Sequence, residues 1–589
     1  MKESKHKKTE KKASVSEKEL NKLESGTDKH VFSFTEKDFV GNVFEVTSAK
    51  VAVRVSSIEK LKIARVDRLA AIKLNADTFL IGRIEKVYET EVHGNIAEKH
   101  VAEIGLIGSF EINRKKNKGK FTRAVISVAD IESECYCMEG PNLSFFMGGI
   151  AESRTDADLP FGHYVLDKSV VAYINGNKLL QRHVALLGSS GCGKSWTVTS
   201  IIEKLAPFNS ADIVIFDIHG EYKGLKYAKS LRMATPADAE NPVPEALFMP
   251  AWFLSYEELL TVLVDPYDPD SSTHALVLHE IIKNEKLNFL KNIKKEEYLK
   301  SFTIDSPIPY DMNEVLVKLK RINRELVPGI GQGNVQKGPY YGKFDRFIPR
   351  IEAKKADKRY NFLFEGPKEV LEFDYINKFV HTILGTGKTK QGNPGIKFID
   401  FSMVPSEMLP VIISTIGRFL FQVMFWNEPK DRHPIIMVCD EAHLYLPPSE
   451  NANAMQRNCT FNFGRIAKEG RKYGVTLFVV SQRPSDLNPG ILSQCANFMT
   501  LRLTNANDQE IVKKLMPDAM SGLIESLPIL GIGEGVVIGE AVMLPLRIQV
   551  TPPNQPPVSP TLEFCNIWLE EHDDSPLDAG IDNMRKQSR

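Results

Sequence analysis

Two hydrophobic rhythms divide this chain. Between about Phe32 and Val128, apolar and polar residues alternate in short runs: Asn42-Val-Phe-Glu-Val-Thr, Lys50-Val-Ala-Val-Arg-Val, Phe79-Leu-Ile-Gly-Arg-Ile and Ala124-Val-Ile-Ser-Val. A period of two, with β-branched residues and turn signals between the runs, predicts a small all-β unit of barrel type. From His183 onward the runs are mostly apolar without alternation, at residues 183–187, 212–217, 396–400, 435–440, 475–480 and 498–503. Strands of that kind are buried on both faces. Helical stretches separate them, which predicts a parallel-rich sheet with ligands at the strands' carboxyl ends.

Between about Leu263 and Tyr341 the pattern changes again: residues 276–299 and 313–326 carry helical spacing and many lysines, followed by a Gly-rich stretch. The resulting expectation is a charged tail over 1–28, a β-barrel assembly or docking domain over 29–140 and an α/β core over 141–550. That core carries a helical insertion at about 263–341, and a Pro-rich extension covers 551–589. The tail has no aromatic residue and cannot bury enough apolar area to offset its ordering entropy. A last helix is expected near 561–572, with the final residues disordered.

Composition changes this picture little. Of 589 residues, 42% are hydrophobic and 25% charged, with Lys+Arg and Asp+Glu both at 75, so nucleic-acid contact belongs to a local patch or channel. The seven cysteines are dispersed, with only Cys135 and Cys137 close, which fits a reducing compartment without structural zinc. The N-terminus is charged rather than signal-like, and the apolar stretch 408–426 is interrupted by Arg418 and Gln422. A buried helix is expected there rather than a membrane span, and the chain is expected to be cytoplasmic, with no membrane partner.

The chemistry starts at the first apolar run. His183–Leu187 is followed by Gly188-Ser189-Ser190-Gly191-Cys192-Gly193-Lys194-Ser195 and an amphipathic run opening with Trp196. Strand, Gly-rich loop and helix in that order make a phosphate site, where backbone N–H groups and the helix N-terminus face the phosphates. Lys194 is placed for the β/γ-phosphates and Ser195 for Mg²⁺. Asp440 and Glu441 close another apolar run. Asp440 suits the Mg²⁺ shell, and Glu441 suits the attacking water. Gln482, just past the run 475–480, is placed to contact the γ-phosphate or that water. Arg465 and Arg471 lie in a basic helix end and read either as arginine fingers for a neighbour's nucleotide or as a solvated face. A second loop-like string, Gly385-Thr-Gly387-Lys388-Thr389, has Thr382 where the first glycine belongs and is set aside. No guanine-reading N-K-x-D motif follows, which favours ATP over GTP.

Together these pieces resemble the HerA family of hexameric DNA translocases, relatives of FtsK in the RecA-like group. The matching strings are GSSGCGKS, FDIHGEY at 216–222, IDFS at 399–402, VCDEAHLYLP at 438–447, GRIAKEGRKYGV at 464–475 and SQRPS at 481–485. The resemblance implies a RecA-like P-loop ATPase core with a HAS-type barrel. It also implies ATP and Mg²⁺ at Gly188 to Trp196 and Asp440, with Ser195 and Asp440 on the metal. Catalytic roles fall to Glu441, Gln482, Arg465 and Arg471, and Arg182 is a further candidate nucleotide contact. Asp217, His219 and Glu221 match a family motif; His219 reads as a metal ligand or a hydrogen-bonding residue. A homo-hexamer with double-stranded DNA in its channel is implied. So is a partner nuclease or NAD-hydrolase-type effector docked on the barrel, in DNA-end processing or antiviral defence. Two functions stand at this point: a motor moving duplex DNA, and an ATP-controlled ring scaffold that activates an effector. A metabolic ATPase or kinase lacks a visible acceptor site.

Overall fold

In the computed structural model the alternating runs close on themselves. The structure describes residues 32–90, 100–125, 127–152, 157–165, 168–208, 210–329, 334–385, 395–515, 521–545, 547–558, 564–569 and 575–586. The charged tail and most of the second loop-like string lie outside these residues.

Strands β1 (Phe39–Val46), β2 (Lys50–Val55), β3 (Leu69–Lys73), β4 (Thr78–Glu89), β5 (His100–Asn113) and β7 (Glu134–Cys137) form an antiparallel ring. Its order is β2-β1-β7-β3-β4-β5, closed by pairing of β2 with β5, and β6 (Lys118–Thr122) is added beyond β5. Closure leaves no ring edge open. The inward positions Val40, Val43, Val53, Ile72, Leu80, Ile84, Ala102, Ile104, Cys135 and Cys137 make the core. Bulges between Ile81 and Gly82 and between Ile84 and Lys86 bend the long β4–β5 pair around the barrel. The helix Gly140–Glu152 brings Phe146 against Phe110 and Phe121. One expectation fails here: residues 124, 125, 127 and 128 are not in a strand, and Val125 and Val128 are exposed. The strand lies earlier, in Lys-Gly-Lys-Phe-Thr, where Phe121 alone points inward between lysines. β7 was not anticipated because its Glu-Cys-Tyr-Cys is too short to show a period.

The second unit is built on a twelve-stranded sheet ordered β13-β12-β16-β11-β17-β18-β10-β19-β20-β21-β8-β9. These are β8 (Asp158–Tyr164), β9 (Val171–Asn175), β10 (His183–Leu187), β11 (Asp212–Asp217), β12 (Lys229–Met233), β13 (Ala246–Leu247), β16 (Ile396–Asp400), β17 (Ile435–Cys439), β18 (Val475–Ser481), β19 (Cys495–Leu501), β20 (Glu534–Gly539) and β21 (Arg547–Val550). From β13 to β19 every pairing is parallel. β20, β21 and β8 then extend the sheet antiparallel. The core strands match the mostly apolar runs because both faces are buried, and the few polar residues within them, such as Lys397 of β16 and Thr476 of β18, are buried with hydrogen-bond partners.

The helix Leu409–Trp426 is 78% buried. It packs so closely on the helix Ala454–Glu469 that a Cβ at Gly417 would stand 2.8 Å from Phe463. Glu258 ties these two helices to Tyr256–Leu263, accepting from Ser414 at 3.0 Å, Arg418 at 2.9 Å and Asn462 at 3.2 Å. The expected insertion at about 263–341 contains helices Ser271–Asn292 and Met312–Asn323, and helical structure continues past it in Phe347–Ala356 and Tyr375–Leu384. It also holds a hairpin of β14 (Leu326–Pro328) and β15 (Val335–Lys337) within the Gly-rich stretch. Fully buried Lys286 donates to the carbonyls of Ile304 and Ser306 at 2.6 and 2.7 Å, and burial lowers its pKa to about 8.

The Pro-rich segment after β21 lies along the core. Ser200 donates to the Thr551 carbonyl at 2.8 Å, the Gln555 side chain accepts from Lys226 N at 2.7 Å, and Val558 N donates to the Glu221 carbonyl at 2.7 Å. Beyond it, helices occupy Phe564–Trp568 and Ser575–Lys586, the second where disorder was expected.

Candidate active site

Register alone brings the candidate residues to one edge. Leu187 at the end of β10 pairs with Ser481 of β18 and Thr500 of β19, and Asp217 of β11 with Asp400 of β16. Phe216 pairs with Cys439, so Asp440 leaves β17 beside Asp217. The loop after β10 opens where neighbouring connections diverge to either side, the position open α/β sheets use for ligands.

That loop is held tightly. Gly188 N donates to the Ser481 carbonyl at 3.2 Å, Ser189 N to the Arg502 carbonyl at 2.8 Å and Cys192 N to the Ser189 carbonyl at 3.3 Å. A Cβ on Gly188 would come within 2.6 Å of the Cys192 sulfur, and Gly191 and Gly193 have φ of +72° and +102°. Three N–H groups, of Ser190, Gly191 and Gly193, donate to nothing among the described residues. The helix Lys194–Leu205 then adds its unsatisfied first-turn donors. A polyanion is the ligand such donors fit. Lys194 is buried, its ammonium 3.4 Å from the Ser189 carbonyl. Ser195 is half-buried and Trp196 exposed. Burial of Cys192 raises its thiol pKa, against the pull of Lys194 and Arg502.

Acidic residues face the loop. Asp440 is buried; desolvation, and then the carboxylates of Glu441, Asp217 and Glu221, raise its pKa well above the usual range. Asp217 accepts from the N–H groups of Gly220, Glu221 and Tyr222 at 2.8, 3.0 and 3.0 Å, and burial still lifts it to about 6. It therefore shapes the turn that presents exposed His219 and half-buried Glu221. Glu441 adopts φ 43°, ψ 44°, the left-handed region that a non-glycine residue enters at a cost. Burial raises its pKa, while Lys194, His219 and the Gln482 side chain favour the ionised form. A hard dication suits this donor set of carboxylate and hydroxyl oxygens at Asp440 and Ser195.

His443, not singled out from sequence, joins two of these elements. Its Nδ1 lies 3.2 Å from Glu441 Oε2 and 3.4 Å from Ser481 Oγ, and burial lowers its pKa. Arg502 was also missed, one residue past β19 with its guanidinium acting on the Cys192 thiol. Neither carried a signal beyond lying next to a motif or a strand end.

Three arginines do not join their own chain's site. Arg182 precedes β10 and lies 3.3 Å from Glu540. It stands at the strand's amino end, roughly 16 Å from the loop at about 3.3 Å per residue. Exposed Arg471 precedes the amino end of β18. Arg465 lies over the rings of Phe421 and Phe425, each at 5.4 Å, and 3.5 Å from Glu469. His183 is structural: Leu477 N donates to its Nδ1 at 2.9 Å, and its Nε2 lies 2.8 Å from the Ala467 carbonyl.

A family model for the central domain of helicase HerA matches residues 159–420. Over those residues the chain carries the central domain of the HerA family. It is 26% identical over 502 residues to a probable helicase of Methanocaldococcus jannaschii, covering 80% of this chain and 88% of that one. With the DNA double-strand break repair helicase HerA of Pyrococcus furiosus it shares 27% identity over 443 residues, or 67% and 69% of the two chains. The solved structure of VirB4 of Thermoanaerobacter pseudethanolicus overlaps 68% of this chain and 97% of that one, at 14% identity and a TM-score of 0.42. The parallel-rich sheet with its Gly-rich loop between β10 and the helix Lys194–Leu205 is a RecA-like P-loop ATPase core.

Proposed function

We propose that this HerA-family protein hydrolyses ATP to move duplex DNA, working as a ring of six that serves a partner nuclease or other effector in DNA-end processing or antiviral defence. It is an ATPase of the helicase class. The observation that carries the reading is the convergence of Lys194, Asp440, Glu441 and Gln482 on one sheet edge around a loop with open N–H donors. Several relatives bear the name DNA double-strand break repair helicase, which supports DNA as the substrate moved.

Each residue has a task. The free N–H groups of Ser190, Gly191 and Gly193 hold the phosphates, and Lys194 offsets their charge. Glu441 takes the proton of the attacking water; burial raises its pKa, and Lys194 and Gln482 act in the other direction. Gln482, at the end of the strand between β10 and β17, orients that water and reports its loss to β18. Ser195 and Asp440 would hold Mg²⁺, which supplies charge neutralisation on the phosphates. Arg465 and Arg471, remote from their own loop, suit contact with a neighbouring copy's nucleotide. Arg182 belongs with them on placement. The barrel is the docking surface for the effector.

The test is ATP hydrolysis by the full chain with and without linear duplex DNA, on particles sized by light scattering. DNA-stimulated turnover that Glu441→Gln abolishes while ATP still binds is expected. Turnover indifferent to DNA, with effector activation surviving Glu441→Gln, would replace the motor by the ATP-controlled scaffold.

A further inference from the structure

The loop leading into β20 carries four aliphatic residues with opposite fates. Leu527 and Leu530 are each 1% exposed and anchor the loop, whereas Ile529 is 76% and Ile532 69% exposed. Exposed aliphatic side chains alone mean little, but the position of these two is fixed. Gly533, next to Ile532, donates its N–H to the Cys192 carbonyl at 3.0 Å. A Cβ on Gly193 would meet Gly533 N at 3.4 Å. The Ile532 carbonyl is itself held, 3.4 Å from the Gln549 amide. Glu534 accepts from Gly531 N at 3.1 Å and from Arg547 at 2.9 Å, which locks the turn. Ile532 thus stands in water one residue from a bond to the phosphate cradle, and Ile529, equally stiff and β-branched, stands in water four positions before that bond on the same loop.

We infer that Ile529 and Ile532 form the apolar platform on which the purine of the bound nucleotide rests. The inference rests on the nucleotide reading above and adds the subsite that tells a nucleoside triphosphate from a bare one. The cradle supplies only charge and N–H donors, which any triphosphate satisfies. A flat, weakly hydrated base gains by covering two exposed isoleucines, and they gain by being covered.

Binding of Mg·ATP and of Mg·inorganic tripolyphosphate is measured by calorimetry on the full chain. Wild type, Lys194→Ala, Ile529→Ser/Ile532→Ser and Ile529→Leu/Ile532→Leu are compared. Wild type should prefer ATP. The serine pair should lose roughly ten-fold or more of ATP affinity with tripolyphosphate binding unchanged, and the leucine pair should keep most of the preference. An undiminished ATP preference in the serine pair overturns the inference. So does a smaller particle by light scattering with that preference intact, which assigns the two isoleucines to a contact between chains. Tripolyphosphate binding that is absent, or indifferent to Lys194→Ala, brings down the nucleotide reading itself.

Discussion

Glu441 combines a left-handed backbone, a buried carboxylate and a histidine neighbour, a costly set of the kind that clusters at functional sites. His443 Nδ1 stands 3.2 Å from Glu441 Oε2, and we propose that it positions this carboxylate rather than touching substrate. His443→Gln is therefore expected to cut kcat for ATP about ten-fold with little change in KM, measured by steady-state hydrolysis. A separate residue tests burial away from the site. Asp212 opens β11, is desolvated and has a pKa raised to about 6, with Lys397 at 3.6 Å. Between the ordinary value of 3.8 and about 6 the folded chain binds the extra proton, so this group's contribution to stability falls as pH rises through that window. Across it the loss is about 3 kcal/mol at 1.36 kcal/mol per unit. Asp212→Asn removes that slope. In denaturant melts the variant should gain on wild type by about this amount from pH 4 to pH 6.5.

At the scale of elements, the helices Leu409–Trp426, Ala454–Glu469 and Tyr256–Leu263 meet on one buried ion pair, Arg418 with Glu258, with hydroxyl and amide partners. Removing one partner strands the other charge in the core. Arg418→Met should cost about 3–5 kcal/mol, and adding Glu258→Gln should restore part of that, a coupling read by a double-mutant cycle. Sequence showed the apolar helix and its interrupting Arg418, but not the carboxylate 160 positions away that makes the arginine tolerable. The basic helix end with Arg465 and Arg471 was equally visible. Its place at the amino end of β18, remote from the loop, follows from how the helix runs relative to the sheet.

At the scale of the whole molecule, the chain divides into two units, and the barrel with its added helix has a core of its own. A fragment spanning residues 32–152 is expected to fold cooperatively. Circular dichroism should show β structure and a single thermal transition, and a broad non-cooperative melt would mean the barrel needs the rest of the chain.

Local structure was legible from the sequence: the Gly-rich loop between strand and helix, the Asp440–Glu441 pair after an apolar run, and the period-two rhythm of the barrel. Each depends on residues adjacent in the chain, where backbone geometry and burial act directly on composition. Only the tertiary structure decided what depends on strand order and register. It placed β18 between β10 and β17 and set Gln482 against Glu441. It brought His443 between two motifs, drew the Pro-rich segment back onto the core, and bonded Gly533, next to Ile532, to a loop more than three hundred residues earlier. Those contacts are made across a sheet, and no local pattern carries the identity of a partner so far away in sequence.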